Sequence, residues 1–176
     1  MGVQEQLYEV ALGENGYVTS AGAVTLGVDR IWLVQRATRP GLTRVARGLY
    51  HFDGIPAGAT GEFMEAVLRV GPEAYLSHDS VLALHSLALV NPRRIRVGTP
   101  RRSRRQQPST IEVIWRRLPP EDLTVYEGIP SATVHRALLD CAPTLMTERL
   151  LAAVDDALAL GLLTPERAAE VRARVR

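Results

Sequence analysis

Apolar positions recur at helical spacing over residues 3–13, where Leu7, Val10 and Ala11 share one face. Gly13 and the Asn15-Gly16 pair end that segment. Thr19 stands as an N-cap for a second helix running to Leu26, and Gly27 closes it, where a residue of positive φ is easiest. Asp29 caps a third helix over residues 30–39, stopped by Pro40-Gly41. Residues 42–45 and 49–52 then read as short strands joined near Arg47-Gly48. Further along, Phe63, Val67, Leu68 and Val70 mark a helix ended by Gly71-Pro72. Ser77 caps another over residues 78–87. Residues 95–97 and 111–115 alternate like strands, and 123–125 adds one more. Thr133 caps a helix to Cys141, an amphipathic helix covers 148–160, and Thr164-Pro165-Glu166 opens the last, with proline at its first position.

These elements predict an α+β chain in two parts. Helix, helix, glycine turn, helix, hairpin is the order of a winged helix-turn-helix, although other small α+β domains share it. The expected organisation is a DNA-binding domain over residues 1–55, a linker at 56–61 within the Gly/Pro/Ala-rich stretch DGIPAGATG, and a mixed α/β domain over 62–176.

Charge separates the DNA reading from its bland alternative. All 21 basic residues are arginine, which excludes chemistry needing a Schiff-base or phosphate-loop lysine. The net charge is only +2, yet residues 30–52 carry +5 and residues 93–117 carry +8, leaving −11 on the rest. Two basic islands on an otherwise acidic chain suit a polyanion. At 100° per residue, Leu33, Val34 and Ala37 of the third helix should pack inward. Trp32, Gln35, Arg36 and Arg39 lie opposite, where Gln and Arg can read base edges and grip phosphate. Trp32 fits either a thymine methyl or an internal packing role. Thr19, Ser20 and Arg30 complete the expected DNA-facing set, with Arg44 and Arg47 on the hairpin. Arg93, Arg94, Arg96, Arg101, Arg102, Arg104 and Arg105 form a second candidate patch for a polyanion or a partner.

No grouping of residues points to catalysis. Ser77-His78-Asp79 has the residue types of a hydrolase triad, but adjacent residues at a helix start cannot relay to one another. His78 and His85 are seven apart, too far for a shared metal, and Cys141 is the only thiol. No enzyme activity, cofactor or metal is expected. The N-terminus lacks a basic region followed by an apolar block, and no membrane-length apolar run occurs. A cytoplasmic setting without a membrane partner is the expectation, with nucleoid association when DNA is bound.

Three stretches resemble the AbiEi-type antitoxins of type IV toxin–antitoxin systems: GYVTSAGAVTLGVDR with GLTRVARGLYHF, then AYLSHDSVLALHSL, then EGIPSATVHRALLDCA. They occur in the family's order and span Gly16 to Ala142. Arg36 stands where members often carry an apolar residue, and Ala137 replaces a common Thr. The resemblance implies a winged helix that binds inverted repeats in its own promoter and represses the operon. It also implies an antitoxin domain that counteracts a nucleotidyltransferase-like toxin. The alternatives are a winged-helix transcriptional regulator without a toxin partner and an enzyme acting on nucleic acid.

Overall fold

The computed structural model describes residues 2–102 and 106–175. The chain is mixed α+β with two sheets and divides into two compact units, Met1–Gly71 and Pro72–Arg176. Among the described residues no helix is long and apolar enough to cross a membrane.

The first unit runs α1 (Val3–Gly13), β1 (Tyr17–Thr19), α2 (Ser20–Thr25), α3 (Arg30–Arg36), β2 (Leu42–Ala46), β3 (Leu49–Phe52) and α4 (Gly61–Val70). Its antiparallel sheet has the order β1-β3-β2. The Thr19 hydroxyl accepts a hydrogen bond from the Gly22 N–H at 2.9 Å, and the Asp29 carboxylate accepts from the Ile31 N–H at 2.9 Å. Both caps thus satisfy donors that a helix start leaves open. Gly27 at φ +76° takes the left-handed turn between α2 and α3. Leu7, Ala11, Ala23, Leu33, Leu42 and Tyr50 build the core.

Two expectations change here. The third helix stops at Arg36 instead of residue 39, and a three-residue strand, β1, pairs with β3. The expected linker at 56–61 falls inside the first unit, because α4 belongs to it. The Tyr17 hydroxyl donates to Glu65 at 2.7 Å, Arg69 pairs with Glu65 at 2.6 Å, and Arg69 also donates to the Val45 carbonyl at 3.1 Å. These bonds tie α4 to both β1 and β2.

The second unit contains β4 (Tyr75–Leu76), α5 (Asp79–Leu84), β5 (Ile95–Thr99), β6 (Ile111–Trp115), β7 (Leu123–Tyr126), β8 (Ile129–Ala132), α6 (Val134–Cys141), α7 (Thr147–Ala159) and α8 (Pro165–Ala173). Short 3-10 turns follow α5 and precede β7. The sheet order is β6-β5-β4-β8-β7, with β5/β6 and β4/β8 parallel and the other pairs antiparallel. Thr133 and Thr164 cap α6 and α8 through their hydroxyls.

Ser77 does not cap α5. Its N–H and hydroxyl both donate to the Arg96 carbonyl, at 2.9 and 3.3 Å, which extends the β4–β5 pairing past Leu76. His78 makes the turn into the helix at φ +53°, ψ −136°, a region costly for any residue with a Cβ. The helix ends at Leu84, not residue 87, because Ser86, Ala88 and Leu89 all have positive φ. Asp156 on α7 accepts from the Ala88 N–H at 2.7 Å and secures that turn.

Gly98 faces Tyr75 across β4–β5, and a Cβ there would overlap the ring. The ring cannot swing aside freely: Tyr75 is 3% exposed and its hydroxyl donates to the Arg116 carbonyl at 2.9 Å. Gly98→Ala should therefore cost about 1–3 kcal/mol by urea denaturation. Adding Tyr75→Leu should make the double variant less destabilised than the sum of the two single changes.

Candidate nucleic-acid interface

Seven residues make α3 just under two turns. Leu33 is fully buried at its centre, and Trp32 and Ala37 pack against the same core. The face left to solvent carries Arg30, Ile31, Val34 and Gln35, with Ile31 60% and Val34 50% exposed. This rotates the expected face. Val34 points outward and Trp32 inward, since burying an indole removes more apolar surface from water than burying an isopropyl group. Of the two readings of Trp32, the structure has the packed one.

Arg36 is also displaced from the expected set. Its guanidinium donates to the Pro40 carbonyl at 2.9 Å and to the Arg39 carbonyl at 3.4 Å, and approaches Gln4 at 3.5 Å. It serves the carbonyls beyond the end of α3, a common use of a basic side chain there. Arg39 lies past the helix in an exposed turn. Thr19 is occupied as the cap of α2, and the Ser20 N–H donates to the Gly48 carbonyl at 2.8 Å, which anchors the hairpin tip to α2.

The hairpin tip itself is open. Arg47 is exposed and precedes Gly48, whose φ of +76° lets the backbone turn tightly. Arg44 is exposed beside a register shift between Arg44 and Ala46, and its Nε approaches the Ala46 carbonyl at 3.4 Å. Among the described residues, Arg30, Arg39, Arg44 and Arg47 have no carboxylate partner. Ile31 and Val34 were not expected at this surface; their signal in the sequence is a short helix with Leu33 at its midpoint.

The second basic island divides. Arg96 is held between Asp79 at 3.4 Å and Glu112 at 3.3 Å, and Arg101 pairs with Glu73. Arg102 lies over the Trp115 ring, 5.3 Å from its centroid. Arg93 and Arg94 are exposed without a carboxylate partner among the described residues. Arg104 and Arg105 lie outside the described residues. Within the expected patch, Arg96 and Arg101 therefore carry carboxylate partners, while Arg93 and Arg94 have none among the described residues.

In the third motif, Arg136 and Asp140 pair with each other. Asp140, with a side chain 6% exposed, accepts from Arg116 at 2.8 Å and from Arg136 at 2.5 Å. Burial alone would raise its carboxyl, but the hydrogen bonds from Arg136 and Arg116 outweigh burial and hold it below the usual carboxylate range. Burial, then the Asp79 and Asp140 charges, push the Cys141 thiol up to about 12, far from a reactive thiolate. Burial lowers His78 and His85, and the His85 ring packs tilted against Tyr126, with centroids 4.2 Å apart. Among the described residues, no group of three or more His, Cys, Asp and Glu is placed to hold a metal ion.

No family model matches the chain, and no curated protein matches it by sequence. Among solved structures, the RV2827C protein from Mycobacterium tuberculosis aligns over the whole of this chain and 83% of its own, at 15% identity and a TM-score of 0.40. Likeness at that level assigns neither family nor function.

Asp140→Asn should cost about 2–3 kcal/mol at neutral pH, less than the roughly 3–5 kcal/mol of a fully buried pair because both arginines reach solvent. The folded carboxyl titrates below its unfolded value near 3.9, so its contribution is complete above about pH 4 and lost as pH falls through the folded pKa. Wild type and variant should converge in acid; denaturation at neutral and acid pH measures this.

Proposed function

We propose that the first unit is a winged helix-turn-helix and that the chain is a DNA-binding autorepressor of the antitoxin type. The observation that carries the DNA reading is the run of guanidiniums from α3 to the β2–β3 turn that are exposed and have no carboxylate partner among the described residues. Arg30 opens the capped helix α3, Arg39 follows its end, and Arg44 and Arg47 lie on the hairpin after it. In this reading α3 enters the major groove, Gln35 reads a base edge, and Ile31 and Val34 meet thymine methyls or sugars. Arg44 and Arg47 grip phosphate or the minor groove from the wing. Arg36, bonded to its own chain, supports the helix end and reads no base.

The toxin partner rests on the resemblance of the three motifs to AbiEi-type antitoxins. Co-expression with the gene beside it tests this: rescue of growth is expected. Repression without rescue leaves a transcriptional regulator with no toxin partner.

DNA contacts are separable by their signatures. Gln35→Ala should cost roughly 1–3 kcal/mol on the chain's own promoter, with little change on random duplex. Arg47→Ala should weaken both and lower the salt slope by about one unit. Arg36→Ala should lower the melting temperature more than it changes the ratio of specific to random binding. Equal losses on both duplexes for Gln35→Ala would remove α3 from the groove. Fluorescence anisotropy across a salt series reads all three.

A further inference from the structure

Arg93, Arg94 and Arg96 lead into β5, and Glu112 stands opposite Arg96 in the β5–β6 register. With Asp79 at the start of α5 they line an open cavity of about 200 Å³. Arg96 forms its fixed element. Its backbone N–H donates to the Ser80 hydroxyl at 2.8 Å, and its side chain is only 27% exposed. Nε donates to Glu112 while Nη1 faces Asp79 without a hydrogen bond, so the donors on Nη1 and Nη2 remain for an incoming acceptor. Asp79 holds Arg96 by charge alone: its Oδ1 is buried without a hydrogen bond. Arg93 and Arg94 add two exposed guanidiniums without a carboxylate partner among the described residues.

We propose that this cavity is a binding site for one phosphodiester group of a polynucleotide. Three guanidiniums against two carboxylates leave a single positive charge. A phosphodiester carries one negative charge, whereas a terminal phosphate carries nearly two at neutral pH. The volume lies below the roughly 300–1,000 Å³ of small-molecule pockets, so the cavity takes one group of a longer chain. Phosphate oxygens diverge tetrahedrally, which lets Arg96, Arg93 and Arg94 reach different oxygens at once. A carboxylate of an acidic peptide matches the charge but has two coplanar oxygens, both consumed by one bidentate guanidinium.

This site deepens the DNA-binding reading and rests on it. The test uses the full chain carrying Arg93→Gln with Arg94→Gln, and the chain's own promoter duplex. Two arginines serve one phosphate, so the slope of log K against log salt should become shallower by about 0.9, on specific and random duplex alike. Arg93→Lys with Arg94→Lys should restore it. Independently, inorganic phosphate should shift the Arg96 Nε–H resonance saturably in the wild type and less in the glutamine pair. An unchanged slope in a glutamine variant that still binds duplex overturns the site. A phosphate shift with an unchanged slope assigns the cavity to another anion and overturns the phosphodiester. A wild-type chain that binds no duplex overturns the DNA reading itself.

Discussion

Burial of Leu33 is the constraint on which the candidate interface depends. A helix just under two turns long has little latitude: once its central leucine is sealed in the core, the side chains one position before it and four after it are committed as well. Trp32 and Ala37 follow Leu33 inward, and Ile31, Val34 and Gln35 are left outside. The caps reinforce this. Asp29 fixes where α3 begins and Arg36 fixes how it ends, so the exposed face is set from both termini. The hairpin inherits its position from the same packing, since Ser20 at the start of α2 holds the Gly48 carbonyl at the tip.

Arginine alone supplies the positive charge in this chain, and the two units use it differently. In the second unit, the half-buried guanidiniums of Arg96, Arg116 and Arg136 each meet one or more carboxylates, where a planar fork can satisfy two acceptors together. Around α3 and the hairpin, Arg30, Arg39, Arg44 and Arg47 are exposed and have no carboxylate partner among the described residues. Paired arginines stabilise the fold, whereas unpaired exposed ones mostly repel one another and add nothing to it. That contrast is why the proposed DNA surface of the first unit centres on Arg30, Arg39, Arg44 and Arg47 and leaves out Arg36.

Much of the fold was legible in the sequence because its helices carry their own start signals. Thr19, Asp29, Thr133 and Thr164 each cap the helix expected of them. β5 and β6 were legible through the alternation of residues 95–97 and 111–115, and β2 and β3 through the turn at Arg47-Gly48 between them. The strands missed were β1, β4 and β8. β1 has three residues and β4 two, too short to show a period. β4 and β8 lie in the interior of the sheet, where burial on both faces erases alternation, and β8 contains a proline as well. Of the candidate interface, the hairpin arginines and Gln35 were legible. Arg36 was not, because its partners are backbone carbonyls that no pattern of side chains encodes. Ser77 failed as a cap for a related reason: an unseen strand claimed its hydrogen bonds first.

The sheet of the second unit also dictates an order of events during folding. β5 and β6 are neighbours in sequence and in space, as are β7 and β8, so each pair can close early. β4 joins them, yet Leu76 meets its parallel neighbour only at Ser131. Closing so long a loop before any contact rewards it is entropically slow. On a ribosome, the β4-β5-β6 half of this sheet must wait for its neighbour until β8 has emerged. During that interval the apolar faces of β4, β5 and β6 lack their final cover.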